Sequence, residues 1–349
     1  MRYNNYNRTD PWDGISRDVG QAVSVEEALR LSKLDWIVHQ RDLYSYVWVN
    51  KETGEIREFN DISDIKQRFM EEQILYLDPA WEQQWTKTPD LKENYRIDPD
   101  DSSKSIVLGH VGSKYKICQN ADGFNFVNDL LNSGGIQLET AGEFDRGQTI
   151  WLCGRMPEER KIVGDDFETY IVFTNNHGGN GAITCIVTPI RVWCRNTLNL
   201  ALRKYKHKWT TRHTGDIKGK LKEAEKVLFN ANNYMNELES YADRMANTPL
   251  LQNDLELMLK ALFPTSEEDS KQRVENMERC RNEVMALTFM PDLEKFKDTQ
   301  WGAINALADW IDHTDPKRKT KNYKENRFKA ILNGHELLGN MMRLMEVKK

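Results

Sequence analysis

Eight apolar residues between Leu221 and Met245 constrain this chain more than any other feature. Leu221, Ala224, Leu228, Ala231, Met235, Leu238, Ala242 and Met245 are spaced alternately three and four residues apart, an unbroken heptad seam. Such spacing places one narrow apolar stripe on a long helix, and that stripe must be buried. Two partners satisfy it. One is a bundle within the chain, built from the helical stretches Leu255 to Leu262, Arg273 to Leu287, Trp301 to Ile311 and Phe328 to Met345. The other is an oligomer interface through the same stripe.

Upstream the periodicity changes. From Lys104 to about Val192 short β-rich runs follow one another at Ser105–Leu108, Lys114–Ile117, Ile136–Ala141, Thr149–Arg155, Thr169–Thr174 and Ala182–Val187. Glycine-bearing turns join them, among them Asp145-Arg146-Gly147 and the segment Asn175 to Gly181, and Ala121 to Leu131 reads as a short helix. Consecutive strands at this spacing predict an antiparallel meander. Before them, Ser24-Val25-Glu26-Glu27 is a capping box opening a helix. Tyr46–Val49 and Glu55–Phe59 pair across a turn as a hairpin, and the acidic, Trp-containing stretch from Asp61 to Asp101, interrupted by Pro79, Pro89 and Pro99, reads as a surface insertion. The expected fold class is α+β, an antiparallel meander with packed helices and a C-terminal helical region. The organisation expected is an N-terminal α/β segment over 1–103, a sheet core with a basic helix over 104–215, and a helical bundle over 216–349.

Composition excludes several classes. No run reaches the ~18 apolar residues that span a bilayer, and the polar start lacks a signal-peptide core, so a cytoplasmic protein is expected and no membrane partner. Five cysteines without a C-x-x-C pair indicate neither a disulfide framework nor a zinc ribbon, and four of them, Cys118, Cys153, Cys185 and Cys194, lie in or beside apolar strand-like runs and are expected to behave as small buried hydrophobes. There is no phosphate loop, strand-linked G-x-G-x-x-G, H-E-x-x-H or G-x-S-x-G elbow. His177 in a Gly/Asn-rich loop, the pair His207 and His213, Asp165-Asp166, and Glu143 with Asp145 are isolated in sequence. Catalysis would require Asp165, Asp166, His177 and Glu143 to converge in one cleft. No catalytic residue, metal or cofactor is expected.

Charge carries the remaining signal. The net charge is −5, with 49 Lys+Arg against 54 Asp+Glu, yet Arg191 to Lys222 holds ten basic residues against Asp216 alone, a local +9. A second run, Lys317 to Lys329, adds a further +5 with its flanking acids Asp315 and Glu325. On a helix starting near Arg195, Cys194, Leu198, Ala201 and Tyr205 would share one face and Arg195, Asn199, Arg203 and Lys206 another. Interleaved cations and aromatics suit a single-stranded nucleic acid, whose bases stack on rings while its phosphates meet cations. Arg191, Arg195, Arg203, Lys206, Lys208, Trp209 and Arg212 are therefore the candidate nucleic-acid-binding residues. The competing expectation is a protein-interaction module using the heptad seam or the Trp81/Trp85 region.

Several blocks resemble a known family. Pro11-Trp12-Asp13-Gly14, Leu34-Asp35-Trp36, Val111 to Tyr115, Gln119-Asn120, Glu139 to Gly142, Thr188 to Leu198, Arg212 to Gly215, and Thr299 to Ala306 with Asp312-His313 are similar to the phage/plasmid-like proteins of domain-of-unknown-function family nine-three-two. The family usually shows Pro-Trp-His-Gly where Asp13 stands here. The resemblance implies encoding by a bacteriophage, prophage or plasmid and a bacterial host cytoplasm, and it supplies no catalytic residues. The order of helix, meander and basic helix is also similar, in topology alone, to single-strand annealing proteins. The resemblance implies context rather than mechanism; with the basic stretch, the expectation is single-stranded DNA binding in replication or recombination, and the alternative is a host-takeover or structural phage factor that binds a host or phage protein. A homo-oligomer would multiply weak contacts in either case.

Overall fold

The computed structural model describes residues 10–57, 65–132, 135–192, 195–200, 202, 208–316 and 318–347. In chain order the elements are β1 (Ser16–Asp18), α1 (Val25–Leu31), β2 (His39–Asn50), β3 (Ile56–Arg57), α2 (Ile65–Leu77), β4 (Trp81–Ile97), β5 (Ser105–Gly112), α3 (Asn120–Phe124), α4 (Phe126–Asn132), β6 (Gln137–Phe144), β7 (Thr149–Arg155), β8 (Arg160–Ile162), β9 (Asp165–Asn176), β10 (Ile183–Arg191), β11 (Lys208–Thr211), α5 (Ile217–Ala246), α6 (Gln252–Leu262), α7 (Lys271–Leu287), α8 (Gln300–His313), α9 (Tyr323–Asn333) and α10 (Glu336–Val347). The fold is α+β.

The larger sheet is an antiparallel meander in the order β1-β6-β7-β9-β10-β11, with β8 also on β9. Side chains alternate across it. Ile150 and Leu152 of β7 and Ile171 and Phe173 of β9 join the main core beneath the helices. Trp151, Cys153, Tyr170 and Val172 face the other way and meet Trp12 of the N-terminal segment and Phe328 and Leu332 of α9. Burial on both faces explains why these strands read as continuous apolar runs.

Helix α5 starts at the N-cap Asp216, whose carboxylate accepts the Gly219 N–H. It runs beneath β10 and packs on α8 as well. Leu221, Ala231, Met235, Leu238, Ala242 and Met245 of the seam are buried in the main core, so the stripe is met inside the chain; the side chains of Ala224 and Leu228 lie outside the described residues. Tyr234 on the same helix donates its hydroxyl to the Leu200 carbonyl at 3.0 Å.

Two expectations are corrected. Residues 65–101, part of the stretch read as a surface insertion, carry helix α2 and the 17-residue strand β4, paired with β2 from Asn50↔Trp81 to His39↔Tyr95. Pro89 is tolerated because the β2 pairing shifts register between Asp42 and Tyr44, with Asp90 in a positive-φ conformation. β4 centres a smaller sheet, β3-β2-β4-β5, which takes β5 from the meander side of residue 103. No helix starts at Arg195 either. Residues 195–200 fold back along β10, with Thr197 bridged to Ile190 and Leu198 N–H on the Pro189 carbonyl.

Candidate nucleic-acid interface

The basic stretch divides into cations that the fold neutralises and cations that it leaves open. Arg191, at the end of β10, is 1% exposed. Its Nε donates to Asp165 Oδ2 at 2.7 Å, Nη1 to Asp292 Oδ2 at 2.8 Å and Nη2 to the Asp292 carbonyl at 2.7 Å. Two carboxylates therefore spend its charge in the interior, and it presents no surface to a phosphate. Arg195 has a positive φ, bonds Asp10, and donates from Nη1 to Glu168 Oε2 at 2.6 Å. Glu168 in turn meets Arg155 at 3.5 Å, and Arg155 meets Glu139 at 2.7 Å, an ionic ladder across β9, β7 and β6. Burial opposes the charge of Arg195, but its bonds to Glu168, Asp10 and Tyr170 outweigh that and raise its pKa. Arg203 and Lys206, with Tyr205, lie outside the described residues.

The remaining members lie on β11, in the turn after it and on the helix that follows, and strand alternation turns Lys208 toward α9 and Trp209 toward the main core. Lys208 and Trp209 are on β11, which pairs with β10 through Cys185↔Trp209 and Ile186↔Lys208. Lys208 is half-buried, donates to Asn333 Oδ1 of α9 at 2.9 Å, and its pKa is lowered by burial. Trp209 rests part of its ring on the main core. Arg212 and Lys218 are exposed, and Lys220 donates to the Thr214 carbonyl at 2.6 Å. Among the described residues, none of Lys208, Arg212, Lys218 and Lys220 has a carboxylate partner.

The second basic run is largely consumed in fixing α9. Lys329 bonds Asp145 at 2.6 Å, Lys319 bonds Asp315 at 2.7 Å, and Arg327 donates to the carbonyls of Asp312 and Thr314. Lys317 lies outside the described residues, while Arg318 and Lys321 are exposed. Lys208 reaches α9 at Asn333, four residues beyond Lys329, the last residue of the second run.

The carboxylates and imidazole of a hydrolytic site do not converge. Asp165 begins β9 and His177 follows its far end, so a strand of about 12 residues, roughly 40 Å at ~3.3 Å per residue, separates them. Glu143 instead meets Arg96 at 3.4 Å. His177 is fully buried, its Nε2 on Asn120 Oδ1 at 2.8 Å, and burial, aided by nearby His213, pushes its pKa down to about 3. His213 stacks on Tyr115 at 4.7 Å and is pushed down to about 4, again by burial. Among the described residues, no group of three His, Cys, Asp or Glu side chains is placed to hold a metal ion. Cys118, Cys153 and Cys185 are buried thiols whose pKa values burial raises.

One polar contact escapes sequence reasoning. Asp312 of α8 accepts both the Thr197 N–H, at 2.6 Å, and the Thr197 hydroxyl, at 2.9 Å. Burial pushes the Asp312 carboxyl up to about 6. The partners are 115 residues apart, and both belong to blocks that carry the family resemblance, Thr188 to Leu198 and Asp312-His313.

No curated protein and no solved structure matches the chain. A family model, Domain of unknown function (DUF932), matches residues 107–332, from β5 through α9. That span holds the meander except β1, the buried Arg191 cluster, the Thr197–Asp312 contact and the β11 cations, and it covers more than half of the chain, so the chain belongs to the DUF932 family.

Proposed function

We propose that this protein is a non-enzymatic single-stranded DNA-binding protein serving replication or recombination of a phage or plasmid. The observation that supports it is the set Lys208, Arg212, Lys218 and Lys220, four cations without carboxylate partners among the described residues, spread over β11, the turn after it and the first turn of α5, with Lys208 on the sheet face opposite to the core-facing Trp209. Lys208 is the sharpest member: its charge is desolvated against a neutral asparagine, and a phosphate would return the lost stabilisation. Arg191 and Arg195 serve the scaffold in this reading.

Binding of a fluorescent oligonucleotide to the full chain across a salt series tests it. Affinity is expected to fall steeply with salt, by about one logarithmic slope unit for each phosphate contact. Reversal of Arg212 and Lys218 together to Glu is expected to weaken binding at least tenfold and flatten the slope by roughly 1 to 2. Binding that is absent at low salt and micromolar protein, or indifferent to the reversals, refutes it. The protein-interaction reading keeps one favourable observation, the 72% exposure of Trp85.

A further inference from the structure

Two lysines outside the basic stretch stand beside it in space. Lys114 and Lys116 follow β5 and are exposed. The Lys116 N–H donates to the His213 carbonyl at 2.8 Å, and the His213 Nδ1–H donates to the Lys116 carbonyl at 3.3 Å, joining positions 97 residues apart. Between the lysines the Tyr115 ring turns inward: it stacks on the His213 imidazole at 4.7 Å, with its hydroxyl donating to the Asn176 carbonyl at 3.1 Å. With those two rings inside, the neighbouring side chains of Arg212, Lys114 and Lys116 face water.

Lys220 reaches the same turn from α5. Its Nζ donates at 2.6 Å to the carbonyl of Thr214, the residue after His213. Three backbone segments therefore bring Lys114, Lys116, Arg212 and Lys220 to one turn, and among the described residues none of the four has a carboxylate partner. Two acids border them: Asp216 gives a carboxylate oxygen to the Gly219 N–H as the cap of α5, and exposed Asp90 meets Ser113 through its carbonyl. Cations gathered without matching acids repel one another, and a polyanion relieves that repulsion. The backbone bonds hold the segments together before any ligand arrives, so binding has little to order beyond the side chains themselves. Four cations on three segments exceed the charge of one small anion and suit successive phosphates of one strand.

We infer that Lys114 and Lys116 extend the nucleic-acid interface across this turn, so that the phosphates of a single strand run from Arg212 and Lys220 onto the segment after β5. The inference rests on the single-stranded DNA reading and adds to it a segment that the basic stretch does not contain.

Fluorescence anisotropy of a labelled oligothymidylate over a salt series tests it on the full chain, with Lys114→Glu/Lys116→Glu and the milder Lys114→Gln/Lys116→Gln. As a control, Lys260→Glu/Lys271→Glu, at exposed positions of α6 and α7, makes the same change in net charge as the first pair. Reversal at 114 and 116 is expected to weaken binding about tenfold or more and to flatten the salt slope by roughly 1 to 2. The glutamine pair is expected to lose about half as much on the logarithmic scale, and the control pair to stay within about threefold of the parent. All the substituted side chains are exposed, so the unfolding midpoints are expected to match the parent. Binding that survives Lys114→Glu/Lys116→Glu, or that weakens no more than with the control pair, overturns the inference; if Arg212→Glu/Lys218→Glu still weakens it, the DNA reading stands alone. A parent that forms no complex at low salt overturns both.

Discussion

Acidification from neutrality to about pH 5 is expected to destabilise the fold by roughly 3 kcal/mol, and the source is two imidazoles that the core holds neutral. His177 and His213 have folded pKa values of about 3 and about 4 against 6.5 for the ordinary side chain. Below pH 6.5 the unfolded chain binds a proton at each position and the folded chain does not. Stability is therefore complete above 6.5 and declines as pH falls toward the folded values, by about 1.4 kcal/mol per imidazole per pH unit. By pH 5 the pair withdraws about 4 kcal/mol. Asp312 works in the opposite sense: its folded pKa of about 6 lies above 3.8, so its contribution grows as pH falls through 6 and returns about 1 kcal/mol by pH 5. The lowered carboxyls of Asp42, Asp101, Asp269 and Asp315 titrate below 3.8 and stay out of this window. His335, lowered by burial, adds to the loss, and Asp10, raised by burial, opposes it. His177→Asn leaves all of these in place. Denaturant unfolding at half-unit steps from pH 7 to 5, compared between the two proteins, isolates His177. The variant is expected to lose about 2 kcal/mol less over that interval, whatever its absolute stability. Parallel curves for the two proteins would refute the reasoning, as would a parent that becomes more stable on acidification.

Two further substitutions probe the frame. Arg191→Leu removes the buried guanidinium that Asp165 and Asp292, 13% and 5% exposed, share, with Lys295 still on Asp165, and is expected to cost about 3 kcal/mol in denaturant unfolding, a loss partly recovered by adding Asp165→Asn and Asp292→Asn. A loss below about 1 kcal/mol would show that the cluster is solvated. Gly302→Ala places a Cβ 2.3 Å from the Phe296 carbonyl oxygen and is expected to lower stability by about 1 to 3 kcal/mol, whereas Gly339→Ala in α10 meets nothing within 4 Å and is expected to be neutral or to gain up to ~1 kcal/mol. Thermal unfolding of the pair checks this, and equal effects would contradict it.

Local signals survived into the fold wherever a residue's neighbours in sequence are also its neighbours in space. Ser24 caps α1 by accepting the Glu27 N–H at 3.2 Å, the Trp48↔Arg57 pairing follows the turn at Gly54, and the meander strands pair in chain order because glycine turns join them. Where the deciding partner is distant, local periodicity misled. The apolar spacing from Leu198 onward suits a helix, yet residues 195–200 are extended because Thr197 is held by Asp312, and Leu198 and Leu200 offer their carbonyls to Tyr234. Pro89 suggested a break in β4 because its tolerance depends on a register shift with β2, more than forty residues earlier.

The same distinction governs charge. A local +9 between Arg191 and Lys222 describes density along the chain, and density along the chain predicts a phosphate-binding face only if the answering acids lie elsewhere in space. They do not lie elsewhere for Arg191 and Arg195: Asp165, Glu168, Asp292 and Asp10 reach them from strand β9, from the turn before α8 and from the N-terminal segment. These two arginines lie between the buried Ile190 and Leu198, and a guanidinium so placed is drawn inside with them and must be paired there. Lys208, Arg212, Lys218 and Lys220 sit instead on a four-residue edge strand, in a polar turn and at the start of a helix, where Arg212 and Lys218 are exposed and Lys208 and Lys220 meet only neutral acceptors. The apolar content around each cation was therefore the better guide to its fate than the count of cations, and it narrows the candidate interface to residues 208–220.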